Sequence, residues 1–118
     1  MAAGRRAERV GRQVVQALAS ILESEAHDPR LTGVTITAAR MTDDLRNVRV
    51  FFAVFGDAKA ATDAAAGLEK ASGYLRRELA HRLELRYAPA LTFEHDDAMF
   101  TADRIENLLR GARDGSPE

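Results

Sequence analysis

The sequence predicts an α+β domain with its elements in the order αββααβ. Two segments rich in β-branched residues alternate apolar with polar across a short turn. Helical periodicity flanks that pair on both sides, and a third alternating segment follows the last helical stretch.

Residues 5 to 26 set Val10, Val14, Val15, Leu18, Ile21 and Leu22 at the three- and four-residue spacings of an amphipathic helix. Asp28-Pro29-Arg30 ends it, because a proline pushes the residue before it out of the α region, and Gly33 helps turn the chain. Val34-Thr35-Ile36-Thr37-Ala38 then alternates as a half-buried strand should, with Val34, Ile36 and Ala38 sharing a side. Beyond a polar turn at Thr42-Asp43-Asp44, residues 47 to 55 alternate again, with Val48, Val50, Phe52 and Val54 on one face. The short connection makes these strands an antiparallel hairpin.

Gly56-Asp57 closes the second strand, and the alanine-rich stretch 58 to 71 has high helix propensity with Leu68 as its anchor. Residues 74 to 85 place Leu75, Leu79 and Leu83 on a leucine stripe, which predicts a further helix. Between the two lies Ala71-Ser72-Gly73, read as a helix-kink-helix junction where only glycine escapes crowding. A positive φ is expected at Gly73, so that alanine there costs about 1 kcal/mol. Pro89 stops this helix, and Leu91-Thr92-Phe93-Glu94-His95 alternates as a third strand. A short helix over 102 to 109 and a flexible tail over 111 to 118 complete the expectation, leaving residues 1–110 as one domain.

Composition narrows the function classes. The 118 residues are 46% apolar and 30% charged, which suits one ordinary folded domain. With no cysteine there is no disulfide framework, thiol nucleophile or thiolate metal site, and a reducing compartment is the simplest home. The apolar run from 50 to 55 falls far short of the roughly 20 residues of a membrane span. Residues 1 to 12 are basic with no apolar core behind them, unlike a signal peptide. A cytoplasmic protein without a membrane partner is expected.

Formal net charge is −1, from 17 Lys and Arg against 18 Asp and Glu, yet the charge is unevenly spread. Arg5, Arg6, Arg9 and Arg12 stand against Glu8 alone in residues 1 to 22, whereas residues 91 to 118 carry seven acids and three bases. On a helical wheel Arg5, Arg9 and Arg12 fall opposite Val10, Val14, Leu18 and Ile21. Cations near a helix N-terminus oppose its macrodipole by about 0.3–1 kcal/mol each, and Glu8 paired with Arg12 offsets only part of that. Such a stripe is either a plain solvated face or a ridge that meets anions. Arg76 and Arg77, just after the expected kink, would sit at a helix start suited to a phosphate, with Arg82 lower on the same helix.

Catalytic chemistry is missing. His27, His81 and His95 are widely spread and lack the spacing of a metal-binding helix. Asp43-Asp44 and Asp96-Asp97 lie in or beside turns, where aspartate is commonplace. Neither a Gly-x-Ser-x-Gly elbow nor a glycine-rich phosphate loop is present, and Ser72 reads as a small residue wanted at the junction. No catalytic residue, metal or cofactor is expected, nor a small-molecule substrate.

Five signatures in order carry a resemblance: Asp28-Pro29-Arg30; Asp44-Leu45; Ala71-Ser72-Gly73; Tyr74-Leu75-Arg76 through Leu79-Ala80 to Leu85-Arg86; and Pro89-x-Leu91-x-Phe93 followed by Asp96. Over residues 5 to 109 the chain resembles the bacterial ribosome-binding factor A family. The resemblance implies a type II K-homology-like domain, with helices packed on a three-stranded mixed sheet. Ordinary members of that fold clamp single-stranded nucleic acid with a Gly-x-x-Gly loop. Here, as in the family, Ala71 and Gly73 replace it.

The resemblance also implies a non-enzymatic factor, expected as a monomer, that binds the small ribosomal subunit and its ribosomal RNA late in assembly. Such a factor assists 5′-end processing of the RNA precursor and cold adaptation. The RNA-binding candidates are Arg5, Arg6, Arg9, Arg12, Arg76, Arg77 and Arg82, with Ala71, Ser72 and Gly73 as the structural kink. The rival reading is a protein-interaction module of the same fold with little direct RNA binding.

Overall fold

The valine and leucine spacing of the N-terminal segment does form a helix, α1 (Ala2–Ser24), which buries Ala7, Val10, Val14, Leu18 and Ile21. The structure, a computed structural model, describes residues 2–24 and 28–96. The expected helix over 102 to 109 and the tail over 111 to 118 lie outside the described residues, as do His27 and Asp97.

After α1 come a 3₁₀ turn at Pro29–Leu31, β1 (Val34–Met41), β2 (Asn47–Val54), α2 (Ala58–Arg82) and β3 (Ala90–His95). The sheet order is β1-β2-β3, with β1 antiparallel and β3 parallel to β2. This is the α+β architecture that the periodicity predicts, with the mixed three-stranded sheet that the resemblance implies. Val48, Val50 and Phe52 of β2 are buried in one core with Val10, Val14, Leu18 and Ile21 of α1, Leu68, Leu75 and Leu79 of α2 and Leu91 of β3.

Two expectations need correction. The residues on both sides of Ala71-Ser72-Gly73 are helical as expected, but they form one continuous helix of 25 residues. Ala64, Leu68, Leu75 and Leu79 are all buried along it, so the apolar stripe stays in phase through the supposed junction and nothing requires a break. Positive φ occurs at Gly33 and Gly56 but not at Gly73, whose missing Cβ would meet only the Arg77 guanidinium at 3.6 Å. The glycine of α2 that packing does use is Gly67, where a Cβ would lie 3.0 Å from Leu31 Cδ2.

The second correction concerns β1. Ile36 pairs with Phe52 but Ala38 pairs with Phe51, so a bulge takes up Thr37 and reverses the alternation. Ala39 and Met41, not Ala38, therefore pack on the core. The freed Thr37 hydroxyl donates to the Asp96 carboxylate at 2.8 Å, tying the bulge to the end of β3.

Short polar devices fix the ends of the helices. Asp57 caps α2 by accepting the Ala60 N–H at 3.0 Å. At the other end Leu85 N–H reaches the Ala80 carbonyl and Glu84 N–H the His81 carbonyl, a Schellman closure with Glu84 at φ 53 in the usual glycine position. The corner after α1 is held by Asp28, which accepts the Arg30 N–H at 2.9 Å and its Nη2 at 2.6 Å.

The Arg30 guanidinium, then the Arg30 backbone N–H, draw the Asp28 carboxyl down to about 2. A carboxyl depressed in the folded state stabilises fully above its ordinary value, and that contribution disappears as pH falls through the folded value. Thermal melting of wild type and Asp28→Asn should therefore differ most near neutral pH and converge between about pH 4 and about pH 2. A gap that persists at the acid end would show that the corner does not depend on the charge.

Candidate nucleic-acid interface

Burying one stripe of α1 leaves Arg5, Arg6, Arg9 and Arg12 on exposed positions. None of them joins an ion pair among the described residues, and Glu8 does not reach Arg12 there. The ridge exists as the wheel predicts, with less internal neutralisation than expected.

The direction of α1 decides what else the ridge meets. Gly11 lies against Ala39, where a Cβ would stand 2.9 Å from the carbonyl oxygen. Ala19 and Leu22 lie instead beside Val34 and Ile36 at the start of β1. Thus α1 runs antiparallel to β1, and its basic first turns lie at the end of the domain where β2 and β3 begin.

The second expected patch divides. Arg76 and Arg77 occupy the middle of α2, so no free N–H groups of a helix start accompany them. The Arg76 guanidinium is engaged with the chain itself, Nε donating to the Pro89 carbonyl at 2.9 Å and Nη2 to the Ala88 carbonyl at 3.3 Å. Arg82 contacts Glu78 at 3.6 Å and Ser20 Oγ at 3.3 Å, joining the C-terminal parts of the two helices. Arg77 alone of the three is exposed and engaged in no ion pair among the described residues. Ala71 and Ser72 are half-buried and Gly73 exposed on the same helix.

Arg76 is therefore a structural residue, and its loss has a size. Arg76→Met keeps the apolar stem but removes both hydrogen bonds, and should destabilise by about 1–3 kcal/mol. Arg77→Met, on the open surface, should stay within about 0.5 kcal/mol of wild type. Denaturant midpoints of the two variants measure this, and equal values would remove Arg76 from the support of the α2–β3 connection.

A cluster that sequence reasoning missed lies at the same end as the first turns of α1. The Arg46 guanidinium stands over the Tyr87 ring, 4.5 Å from its centroid, and that of Arg86 stands 5.5 Å away. The Ala90 N–H donates to the Arg46 carbonyl at 2.8 Å, which holds the hairpin turn beside the α2–β3 connection. The adjacent Arg86-Tyr87 pair ahead of Pro89 was the available signal, but only the fold brings Arg46 to it. Elsewhere on the sheet Arg49 is paired with Glu94 at 2.9 Å. Asp44 accepts the Thr42 hydroxyl and the Arg46 N–H, consistent with a turn role. No three histidine, aspartate or glutamate side chains gather as a metal site among the described residues.

The sequence pattern of ribosome-binding factor A matches residues 6–109. The chain belongs to the ribosome-binding factor A family. The factor of Pseudarthrobacter chlorophenolicus is 43% identical over 113 residues, covering 96% of this chain, which spans 65% of that protein's length. The factor of Syntrophobacter fumaroxidans is 43% identical over 108 residues, covering 90% of this chain and 92% of its own. The crystal structure of ribosome-binding factor A from Thermus thermophilus superposes with a TM-score of 0.66 at 28% identity, over 75% of this chain and 94% of that one. A homology model of the Thermus thermophilus factor, as fitted into the cryo-EM map of a 30S complex with that factor, gives 0.63 at 28% identity, over 77% of this chain and 96% of that one. The segment matched to ribosome-binding factor A contains every predicted arginine except Arg5, as well as Arg46, Arg86 and Tyr87.

Proposed function

We propose that this chain is a non-enzymatic ribosome maturation factor that binds the small ribosomal subunit through its ribosomal RNA. The observation that carries the reading is the ridge of Arg5, Arg9 and Arg12 with Arg6 beside it, all exposed and without a carboxylate partner among the described residues, in a chain whose formal net charge is −1. A charge pattern that opposes the helix macrodipole is explained by an external anion, and phosphate is the anion a ribosome supplies. Arg77 extends the contact, whereas Arg76 and Arg82 act within the fold.

Membership of the ribosome-binding factor A family and the Thermus thermophilus factor's 30S complex support the choice of partner. The finer assignments follow the family resemblance: binding late in assembly, assistance in 5′-end processing of the RNA precursor and in cold adaptation, and action as a cytoplasmic monomer. Co-sedimentation of the chain with purified small subunits across a salt series tests the reading. Retention should fall steeply with salt, because each neutralised phosphate adds about 0.7–0.9 to the log–log slope. Salt-indifferent retention, lost when subunit proteins are stripped, would replace it with the protein-interaction reading.

A further inference from the structure

We propose that Tyr87, flanked by Arg46 and Arg86, is a stacking site for an unpaired base of single-stranded RNA, a contact that rests on the ribosomal-RNA reading above. Tyr87 is 48% exposed although it is large and aromatic, and both guanidiniums lie over its ring at 4.5 and 5.5 Å. An exposed ring with guanidiniums over it provides the two elements of sequence-tolerant single-strand binding, planes on which a base stacks as a guanidinium moves aside and charge for the flanking phosphates.

Its mounting distinguishes the site from a tyrosine resting loosely on the surface. Pro89, two residues on, is fully buried, and Arg76 holds the carbonyls of Ala88 and Pro89 from below at 3.3 and 2.9 Å. On the other side the Arg46 carbonyl receives the Ala90 N–H at 2.8 Å. The chain that directly follows the ring is thus held from two sides, which lowers the entropy lost when a base stacks on it. The nearby Asp44 is turned into its own hairpin by the Thr42 hydroxyl and the Arg46 N–H. The basic first turns of α1 lie at the same end, so a strand tracked by the ridge reaches Tyr87 without crossing the domain.

The test uses the full chain with a fluorescein-labelled ten-nucleotide oligo(A) RNA, a duplex RNA of equal length, and purified small subunits. Tyr87→Ala should weaken oligo(A) binding by about tenfold or more, with the salt slope and duplex binding unchanged. Tyr87→Phe should bind as wild type, because the plane survives. Intrinsic tyrosine emission, free of tryptophan in this chain, should be quenched by unlabelled oligo(A) in wild type and lose that quenching in Tyr87→Phe. That measurement decides the matter even if Tyr87→Ala folds poorly.

Wild-type oligo(A) affinity in Tyr87→Ala, or quenching that persists in Tyr87→Phe, overturns the stacking site. If subunit binding stays salt-dependent in that case, the ribosomal-RNA reading stands without it. Subunit binding weakened by Tyr87→Ala with oligo(A) binding unchanged assigns the ring to a protein contact instead and also overturns the proposal. Salt-indifferent subunit binding together with no oligo(A) binding at all overturns both.

Discussion

Reversing Arg5, Arg9 and Arg12 to glutamate is expected to lower affinity for the small subunit by about two orders of magnitude near 0.1 M salt. The size follows from counterion release. A phosphate contact contributing roughly 0.7–0.9 to the log–log slope is worth about five- to eightfold at that salt, and three such contacts multiply. The slope itself should flatten by about 2–3. Folding should not suffer, because the three side chains are exposed and α1 has no acidic residue in its first turn. Replacing Arg5 by an acid there even favours the helix, since negative charge near an N-terminus is stabilising by about 0.3–1 kcal/mol. Binding by filter retention at three salt concentrations, paired with thermal melting, makes the comparison. A triple variant that melts and binds like wild type, with the same slope, would take α1 off the binding surface.

That prediction uses a feature legible in the sequence, and the reason it was legible is local. A helical wheel needs only the period of α1, so the opposition of Val10, Val14, Leu18 and Ile21 to Arg5, Arg9 and Arg12 survives folding unchanged. Strand β2 was readable on the same ground. What misled was punctuation inside longer elements. Gly73 looked like a junction because an isolated glycine lowers helix propensity by about 1 kcal/mol, a cost that a 25-residue helix with an in-phase apolar stripe absorbs. With the junction went the helix start meant for Arg76 and Arg77.

The bulge at Thr37 was invisible for a related reason. Period-two alternation assigns faces only while register is unbroken, and the break depends on a partner strand and on Asp96, far away in sequence. The same holds for Arg46 and Tyr87, whose meeting is a product of parallel pairing between β2 and β3. Side chains brought together by long-range pairing leave no periodic trace.

Two glycines in helices should respond to alanine in opposite directions, and the contrast tests the packing of the whole domain. At Gly11 the added Cβ would stand 2.9 Å from the Ala39 carbonyl oxygen, with backbone on both sides of the clash. Neither side can swing away as a side-chain tip would, so α1 must lift from β1 and loosen the packing of Val10 and Val14 on the sheet. Overpacking of this kind costs about 1–3 kcal/mol, and better helix propensity returns about 1 of it. Gly11→Ala should therefore destabilise by up to about 2 kcal/mol, lowering the melting temperature by as much as several degrees, and Gly11→Val by more because its branched side chain extends the clash. At Gly73 the φ is ordinary and the nearest atom is the mobile end of Arg77 at 3.6 Å, so the helix gains without a clash. Gly73→Ala should stabilise by about 0.5–1 kcal/mol and leave subunit binding intact. Denaturant unfolding of both variants, with co-sedimentation of Gly73→Ala on small subunits, reads out the two effects. A destabilised, non-binding Gly73→Ala beside a neutral Gly11→Ala would mean that the turn of the chain matters at Gly73 after all, and that α1 does not rest on β1 through Gly11.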